Sequence, residues 1–416
     1  MQLPAINKEI KDVFYLIALQ GLNYIAPLLV LPYLMKVLGA EKFGYIGFSL
    51  SVINYLMLIV DFGFNFSATK QIALAKDNRT KLNKIFTSTL YAKTGLLIVS
   101  FFLLIVIAMI PRFTIYRETM FVMFLMVVGS AFTFVWLFQG LGQIRFISIF
   151  NIIAKLSILP LTFIFVKSSD DYLIAAFLQS FVYIFAMLIS VGYVIKKRWV
   201  SIISYIKQDV IFSLKESLPL FLSSAATSIY TASFVVVLGY FATVEEVGQY
   251  SAVDRIMRAL CWLVFIPVVQ AFYPKITQMG KDDKLEAVRM VKKIFFFVVC
   301  CMFLIFIGMF FLSPYAIEFL GKDYKNTLLL FKITAFVPIF VGMGGVIAQL
   351  GILALGNDAD KKNYQQVYFI AGFVALGCIF VTIPLWGANG AAISLLITEI
   401  MVFGLMFWYG RKILIN

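Results

Sequence analysis

Histidine is absent from the 416 residues. That removes every imidazole base, every histidine metal ligand and any ordinary histidine switch near neutral pH. Cysteine is scarce, and Cys261, Cys300, Cys301 and Cys378 lie inside apolar runs without metal-site spacing, where they read as small hydrophobes. Neither a metal nor any other cofactor is expected. Charge is also thin, at 13% of residues, and acids are outnumbered by bases 21 to 35. No glycine-rich loop ends in the Gly-Lys-Ser/Thr that cradles nucleotide phosphates, which argues against direct ATP drive. Residues 1–12 lack the basic start, short apolar core and small-residue cleavage site of a signal peptide, so the run from Val13 is expected to remain as a first membrane span.

What fills the chain is apolar. With 62% hydrophobic residues and a mean hydropathy of +0.96, the sequence reads as an all-α polytopic membrane protein. Apolar runs fall at about 13–34, 43–63, 85–110, 119–141, 146–166, 172–195, 217–241, 250–273, 294–313, 328–355, 365–384 and 389–409. Each is near the roughly 20 residues that cross a bilayer as a helix, which gives about twelve spans. The bases cluster in alternate connectors: 70–84, 196–215, 275–293, Lys361-Lys362 and Arg411-Lys412. Connectors 242–249 and 385–388 carry none. The positive-inside rule then puts both termini in the cytoplasm, and most of the +14 net charge is an orientation signal, not a nucleic-acid footprint.

The chain repeats itself. Val37-Leu38-Gly39 followed by Phe43-Gly44-Tyr45 recurs as Val237-Leu238-Gly239 followed by Val247-Gly248-Gln249. Lys76-Asp77-Asn78 leading to Lys84-Ile85-Phe86 recurs as Lys281-Asp282-Asp283 leading to Lys293-Ile294-Phe295. Two six-helix lobes, 1–210 and 211–416, are expected. An even number of helices per repeat leaves both lobes in the same orientation, related by an axis along the membrane normal, with the substrate path between them.

The eighth run begins with an acid and two arginines: Asp254, Arg255 and Arg258. Spacings of three and four put them on one broad helix face. An ionised group at a helix centre costs about 2.5–3.5 kcal/mol on insertion scales, so such groups face a bundle interior or a wet cavity. The face reads as part of an anion path, with arginines that snorkel to headgroups as the plainer alternative. Lys93 and Lys155 lie about 12 and 13 Å in from the cytoplasmic ends of their helices, and Arg255 and Arg258 about 8–12 Å from the outer end of theirs. A phosphate-bearing substrate can be handed between cations staggered in this way, or the lysines snorkel. Glu399, near the middle of the last span, is too deep to snorkel and must pair with a base or hold a proton, which makes it a candidate coupling group. Asp61 reads as a structural partner. Asn23 in the first run, Asn54 in the second, and Ser224, Thr227 and Tyr230 in the seventh suit either a tight helix seam or a wet wall for sugar hydroxyls.

Several segments resemble the O-antigen flippases of the Wzx type, in the superfamily that also holds lipid II flippases and multidrug and toxin extruders. They are Asp61-Phe62-Gly63-Phe64-Asn65-Phe66-Ser67-Ala68-Thr69-Lys70, Trp136-Leu137-Phe138-Gln139-Gly140 through Lys155, and Val237-Leu238-Gly239 to Ala252. Ala271-Phe272-Tyr273-Pro274-Lys275 and Gly387-Ala388-Asn389-Gly390-Ala391-Ala392 through Glu399 complete the set. The resemblance implies a protein of the bacterial inner membrane that turns an undecaprenyl-diphosphate-linked oligosaccharide from the cytoplasmic to the periplasmic leaflet by ion-coupled alternating access. It implies a cationic central cavity, a twelve-helix bundle, contact with membrane lipids, and functional contact with an O-antigen polymerase and a chain-length regulator. The half-repeat counterparts of Arg255 and Arg258 are Ser51 and Asn54, so the cationic site is asymmetric. The rival transporter is a multidrug or cation antiporter, which needs acids where this chain has bases. A polytopic enzyme of lipid-linked glycan assembly needs catalytic groups on a sizeable outer loop, and the loops here are short.

Overall fold

The computed structural model describes the backbone of residues 3–204 and 206–414, and the side chains of 30–204, 206–222, 224, 225, 228 and 232–414. Every regular element among them is helical. In order they are α1 (Leu3–Asp61), α2 (Phe64–Ala75), α3 (Arg79–Met109), α4 (Arg117–Phe132), α5 (Val135–Gly140), α6 (Ile144–Phe165) and α7 (Tyr172–Lys197). Then follow α8 (Lys207–Phe241), α9 (Val244–Asp282), α10 (Lys284–Phe311), α11 (Ser313–Leu320), α12 (Leu328–Ala335), α13 (Val337–Val346) and α14 (Asp358–Leu414). Helices are what a bilayer demands, because each satisfies its own backbone hydrogen bonds.

Nine stretches of the described residues are long and apolar enough to cross a membrane. Two very long helices are broken at glycine: α1 at Gly39 (φ 72°) and α14 at Gly387 (φ 53°). A positive φ is cheap only without a Cβ, so these positions turn the chain back sharply. Dividing α14 at Gly387, and adding α8 and the part of α1 before Gly39, gives about twelve passes, as the hydropathy runs predict. Large apolar side chains such as Phe296, Phe297, Leu304, Phe373 and Val381 point outward, the surface expected of a protein solvated by lipid tails.

The chain packs as two compact units, residues 1–44 with 233–416, and residues 45–232. This division by packing differs from division by sequence repeat: it assigns the helix before Gly44 to the unit of the later elements, and residues 207–232 of α8 to the unit of the earlier ones.

In the 45–232 unit, α7 packs along α4 and α6, and the short α2 packs on α5. The segments singled out by resemblance meet there. Phe64, Trp136 and Phe138 are fully buried in one core with Phe86, and the Thr69 hydroxyl lies 3.1 Å from the Trp136 carbonyl. Gly140 abuts Ile72, where a Cβ would meet the isoleucine at 2.5 Å. Ser67 and Ser217 hydroxyls lie 2.6 Å apart, and Phe62 stacks on Phe221 at 4.6 Å. These motifs therefore act first as packing.

In the other unit, α9, α10, α13 and α14 pack together, with Ile347, Val367, Val402 and Met406 in their core. A π-helical turn, Ile347–Leu353, continues α13 and lies against α14. Across the break in α14, the Thr382 hydroxyl donates to the Gly390 carbonyl at 2.8 Å and lies 2.6 Å from the Ser394 hydroxyl. Elsewhere in the spans hydroxyls bond back one turn, as Ser51 does to Gly47 and Thr398 to Ser394, which satisfies them within their own helix.

The polar residues that match in the repeat are helix caps. Asn78 accepts from the Lys81 amide at 3.0 Å at the start of α3, and Asp283 accepts from the Glu286 amide at 3.0 Å at the start of α10. Each such cap contributes about 1 kcal/mol. The start of α9 carries a full capping box, Thr243 with Glu246.

Candidate functional site

A shielded cluster of charge lies about three turns into α9. Its entry is fixed by the Thr243–Glu246 capping box, and the residues that follow, 247–253, are all buried. On the helix face that continues from Tyr250, the Arg258 Nε lies 3.0 and 2.8 Å from the two oxygens of Asp254. Both side chains are largely shielded, at 23% and 13% exposure. The spacing of four makes this pair geometrically natural. Glu399, on α14, is 6% exposed, and its charge couples to those of Arg258 and Asp254. Two carboxyls and one guanidinium thus share a neighbourhood that the α9–α14 packing creates. The hydroxyls of Tyr250 and Ser251, one turn before the pair, are buried and make no hydrogen bond among the described residues.

Arg255 does not reach outward. Its guanidinium carbon lies 5.0 Å from the centre of the Phe43 ring, a cation–π contact inside the protein, and its charge couples to Asp254 and Tyr324. Tyr324 is fully buried, and its hydroxyl donates to the Met35 carbonyl at 3.5 Å.

The other deep cations belong to the 45–232 unit. Lys93 is 4% exposed, and its ammonium lies 3.9 Å from an Asp61 oxygen. Asp61 ends α1 just before the turn at Phe62 and Gly63, both of positive φ, and this turn aims the carboxylate at α3. Lys155 sits half-buried on α6. Asn54 is exposed and Ser224 half-buried. The side chains of Asn23, Thr227 and Tyr230 lie outside the described residues. Lys332 places its ammonium 5.4 Å from the Phe310 ring centre. Among the described residues no group of three or more histidine, cysteine or acidic side chains is placed to hold a metal ion.

Sequence reasoning found the Asp254–Arg258 pair through its spacing. It did not find the Phe43 partner of Arg255 or the approach of Glu399 to α9, which join residues more than 140 positions apart and leave no local pattern.

Residues 10–280 match the family model described as polysaccharide biosynthesis protein. The chain belongs to that family. It is 31% identical over 411 residues to the "Putative O-antigen transporter" of Escherichia coli (strain K12), with 97% of this chain and 96% of that one covered. It is also 31% identical over 398 residues to the protein of the same name from Shigella dysenteriae, with 94% and 97% covered. Among solved structures, lipid II flippase MurJ in an inward closed conformation superposes with a TM-score of 0.73 at 14% identity, covering 96% of this chain and 90% of that one. An inward-facing multidrug resistance MATE family transporter of the MOP superfamily gives 0.64 at 14% identity, with 94% and 98% covered. The fold is therefore that of the MOP superfamily, and the resemblance to O-antigen flippases stands. Both relatives and neighbours are transporters, not enzymes.

Proposed function

We propose that this family member is a flippase for an undecaprenyl-diphosphate-linked oligosaccharide, moving it from the cytoplasmic to the periplasmic leaflet by alternating access coupled to an ion gradient. The observation that carries the proposal is the shielded Asp254–Arg258 pair inside a membrane-spanning helix, with Glu399 beside it. A diphosphate concentrates negative charge, and taking it out of water without compensation is prohibitive. Arginine answers that need because its planar fork binds phosphate oxygens in pairs. Asp254 holds Arg258 in place without substrate, and the buried Tyr250 and Ser251 hydroxyls supply further donors one turn away. Arg255 adds a second cation, and Lys155 and Lys93 are assigned as further cations for the diphosphate. Asn23, Asn54, Ser224, Thr227 and Tyr230 are assigned to the seam or sugar-bearing wall. On this reading the protein sits in the bacterial inner membrane with both termini in the cytoplasm, beside the polymerase and chain-length regulator that use its product.

A multidrug antiporter has the same fold, but a cationic drug would meet Arg255 and Arg258 here, and Asp254 is already paired with Arg258. The deciding experiment is flipping of the lipid-linked oligosaccharide in proteoliposomes, with and without an imposed ion gradient. Arg258→Ala is expected to abolish flipping at normal protein level, and Arg258→Lys to recover only part. Lys155→Ala should resemble Arg258→Ala. Full activity of both alanine variants would mean that the phosphate path runs elsewhere.

A further inference from the structure

At the end of α9 opposite its basic end at Lys281 lies a cavity of about 260 Å³. Three separate chain reversals build it: the α8–α9 turn, the segment before α12, and the break in α14. Its polar lining includes Glu245, Glu246, Gln249, Asn326, Thr327 and Asn389, and no base lines it. A diphosphate would meet two carboxylates there and no cation, so this cavity and the Arg258 site cannot serve the same chemical group.

Most of the lining is held in place by the fold. Glu246 is occupied by its capping bonds to the Thr243 amide and hydroxyl, both at 3.1 Å. Gln249 donates to the Asp323 carbonyl at 2.7 Å and to a Glu245 oxygen at 3.2 Å, which fixes the Glu245 carboxylate at the wall. Thr327 donates to the Tyr324 carbonyl at 2.6 Å. By contrast, the amides of Asn326, before α12, and Asn389, on α14, make no hydrogen bond among the described residues. The fixed wall supplies acceptors, and the two amides supply both donors and acceptors.

We infer that this cavity is a binding site for uncharged sugar residues of the lipid-linked glycan, formed by Glu245, Asn326 and Asn389 on the frame of Gln249 and Thr327. A pyranose presents hydroxyls that donate and accept in every direction, and it matches carboxylate and amide walls without needing a cation. The volume lies just under the ~300–1,000 Å³ of sites for drug-sized ligands, which suits one or two sugar rings. Gln249 and Arg258 are nine residues apart on one helix, or about 14 Å at 1.5 Å per residue. Diphosphate and glycan therefore have separate stations along α9, one cationic and one acidic to neutral. A divalent cation is the less suitable occupant, because one oxygen of Glu246 is already committed to the helix cap and a Glu245 oxygen to Gln249.

This inference rests on the flippase reading, and the test separates the two. Equilibrium binding to the full chain in lipid nanodiscs is compared for undecaprenyl diphosphate alone and for undecaprenyl diphosphate carrying the oligosaccharide of the source strain. The wild-type protein is expected to bind the glycan-bearing lipid more tightly. Asn326→Ala/Asn389→Ala should weaken that lipid about tenfold, or ~1.4 kcal/mol, and change the bare lipid less than about twofold, or ~0.4 kcal/mol. Asn326→Ala alone, at an exposed position that leaves nothing buried unpaired, should give part of the same selective loss. Equal weakening of both lipids, no weakening of either, or no wild-type preference for the glycan would overturn the sugar site while leaving the diphosphate site standing. Failure of the wild-type protein to bind either lipid would overturn the flippase reading first.

Discussion

Gly44 and Gly248 pack backbone to backbone: a Cβ built on Gly248 would lie 2.9 Å from the Gly44 amide nitrogen, and one built on Gly44 would lie 3.0 Å from the Gly248 amide nitrogen. They are the matching glycines of the internal repeat, Phe43-Gly44-Tyr45 and Val247-Gly248-Gln249. Each helix thus offers the other its own copy of the same small position, which is how a sequence repeat becomes a close crossing in space. The crossing also brings Phe43 beneath Arg255, one residue before one glycine and seven after the other.

Substituting Gly248 tests that crossing. In an isolated helix, Gly→Ala stabilises by about 0.8–1.0 kcal/mol. Here the new methyl would fall 1.7 Å from the Ala40 carbonyl oxygen, a backbone atom that no rotamer change can move. Overpacking of this kind costs about 1–3 kcal/mol. Gly248→Ala should lower thermal stability in detergent and impair complementation, whereas Gly377→Ala, in open space on α14, should not. A Gly248→Ala protein as stable as wild type would show that the crossing tolerates separation.

The pair of buried Lys93 and partly exposed Asp61 gives a double-mutant test. Removing Asp61 leaves the buried Lys93 charge uncompensated, which costs up to about 3–5 kcal/mol, and removing Lys93 costs less because Asp61 is partly exposed. Lys93→Met and Asp61→Asn should each reduce stability, and the double variant should recover much of it. Transport then separates the two roles. A stable double variant that flips normally makes the pair structural; a stable one that fails to flip places Lys93 on the anion path.

Much of this architecture was legible in the sequence because a bilayer leaves few alternatives. Long apolar runs must be helices, and the repeat was visible in Asn78 and Asp283, whose side chains cap α3 and α10, and in Gly44 and Gly248, whose lack of side chains permits the crossing. The i,i+4 spacing of Asp254 and Arg258 made their pairing readable. What hydropathy does not carry is which helices touch. In the sequence Arg255 reads as a cavity base with snorkelling as the alternative, and only the fold puts Phe43 beneath it. Asp61 likewise shows no partner until the Phe62–Gly63 turn aims it at Lys93. Nor did the Asp-Phe-Gly-Phe-Asn and Trp-Leu-Phe-Gln-Gly segments reveal that they pack on each other.

Topology is open to direct measurement. Reporter fusions after Lys81, Lys207 and Lys284 should read cytoplasmic, and those after Glu246 and Trp386 periplasmic, because bases crowd the first set of connectors and avoid the second. Two same-side fusions separated by an odd number of spans would contradict the parallel repeat.

Glu399 is the test of energy coupling. Gln preserves its shape and hydrogen-bonding capacity, but it removes a carboxyl that shares its neighbourhood with Arg258 and Asp254. Glu399→Gln should express normally and lose the response of flipping to an imposed ion gradient. Expression at the wild-type level together with an unchanged gradient response would leave Glu399 as a structural partner of the cluster.

The contact between Arg255 and Phe43 separates charge from geometry within the proposed anion site. A guanidinium at 5.0 Å over a ring gains about 0.5–2 kcal/mol, more as water is excluded. Arg258 has its orientation set by a carboxylate, whereas Arg255 has an aromatic face in addition to its coupling to Asp254. If the ring positions Arg255 for phosphate, Phe43→Leu should weaken binding of the diphosphate lipid about as much as Arg255→Lys does, since each removes the planar stack and keeps the charge. Arg255→Ala should be worse than either and still milder than Arg258→Ala. If Arg255 serves only to pin the crossing at Gly44 and Gly248, Phe43→Leu and Arg255→Lys would lower the unfolding temperature while leaving the affinity of the folded protein unchanged. Binding and melting measured on the same preparations decide between these outcomes, because a phosphate ligand loses affinity with the first cause and only folded protein with the second.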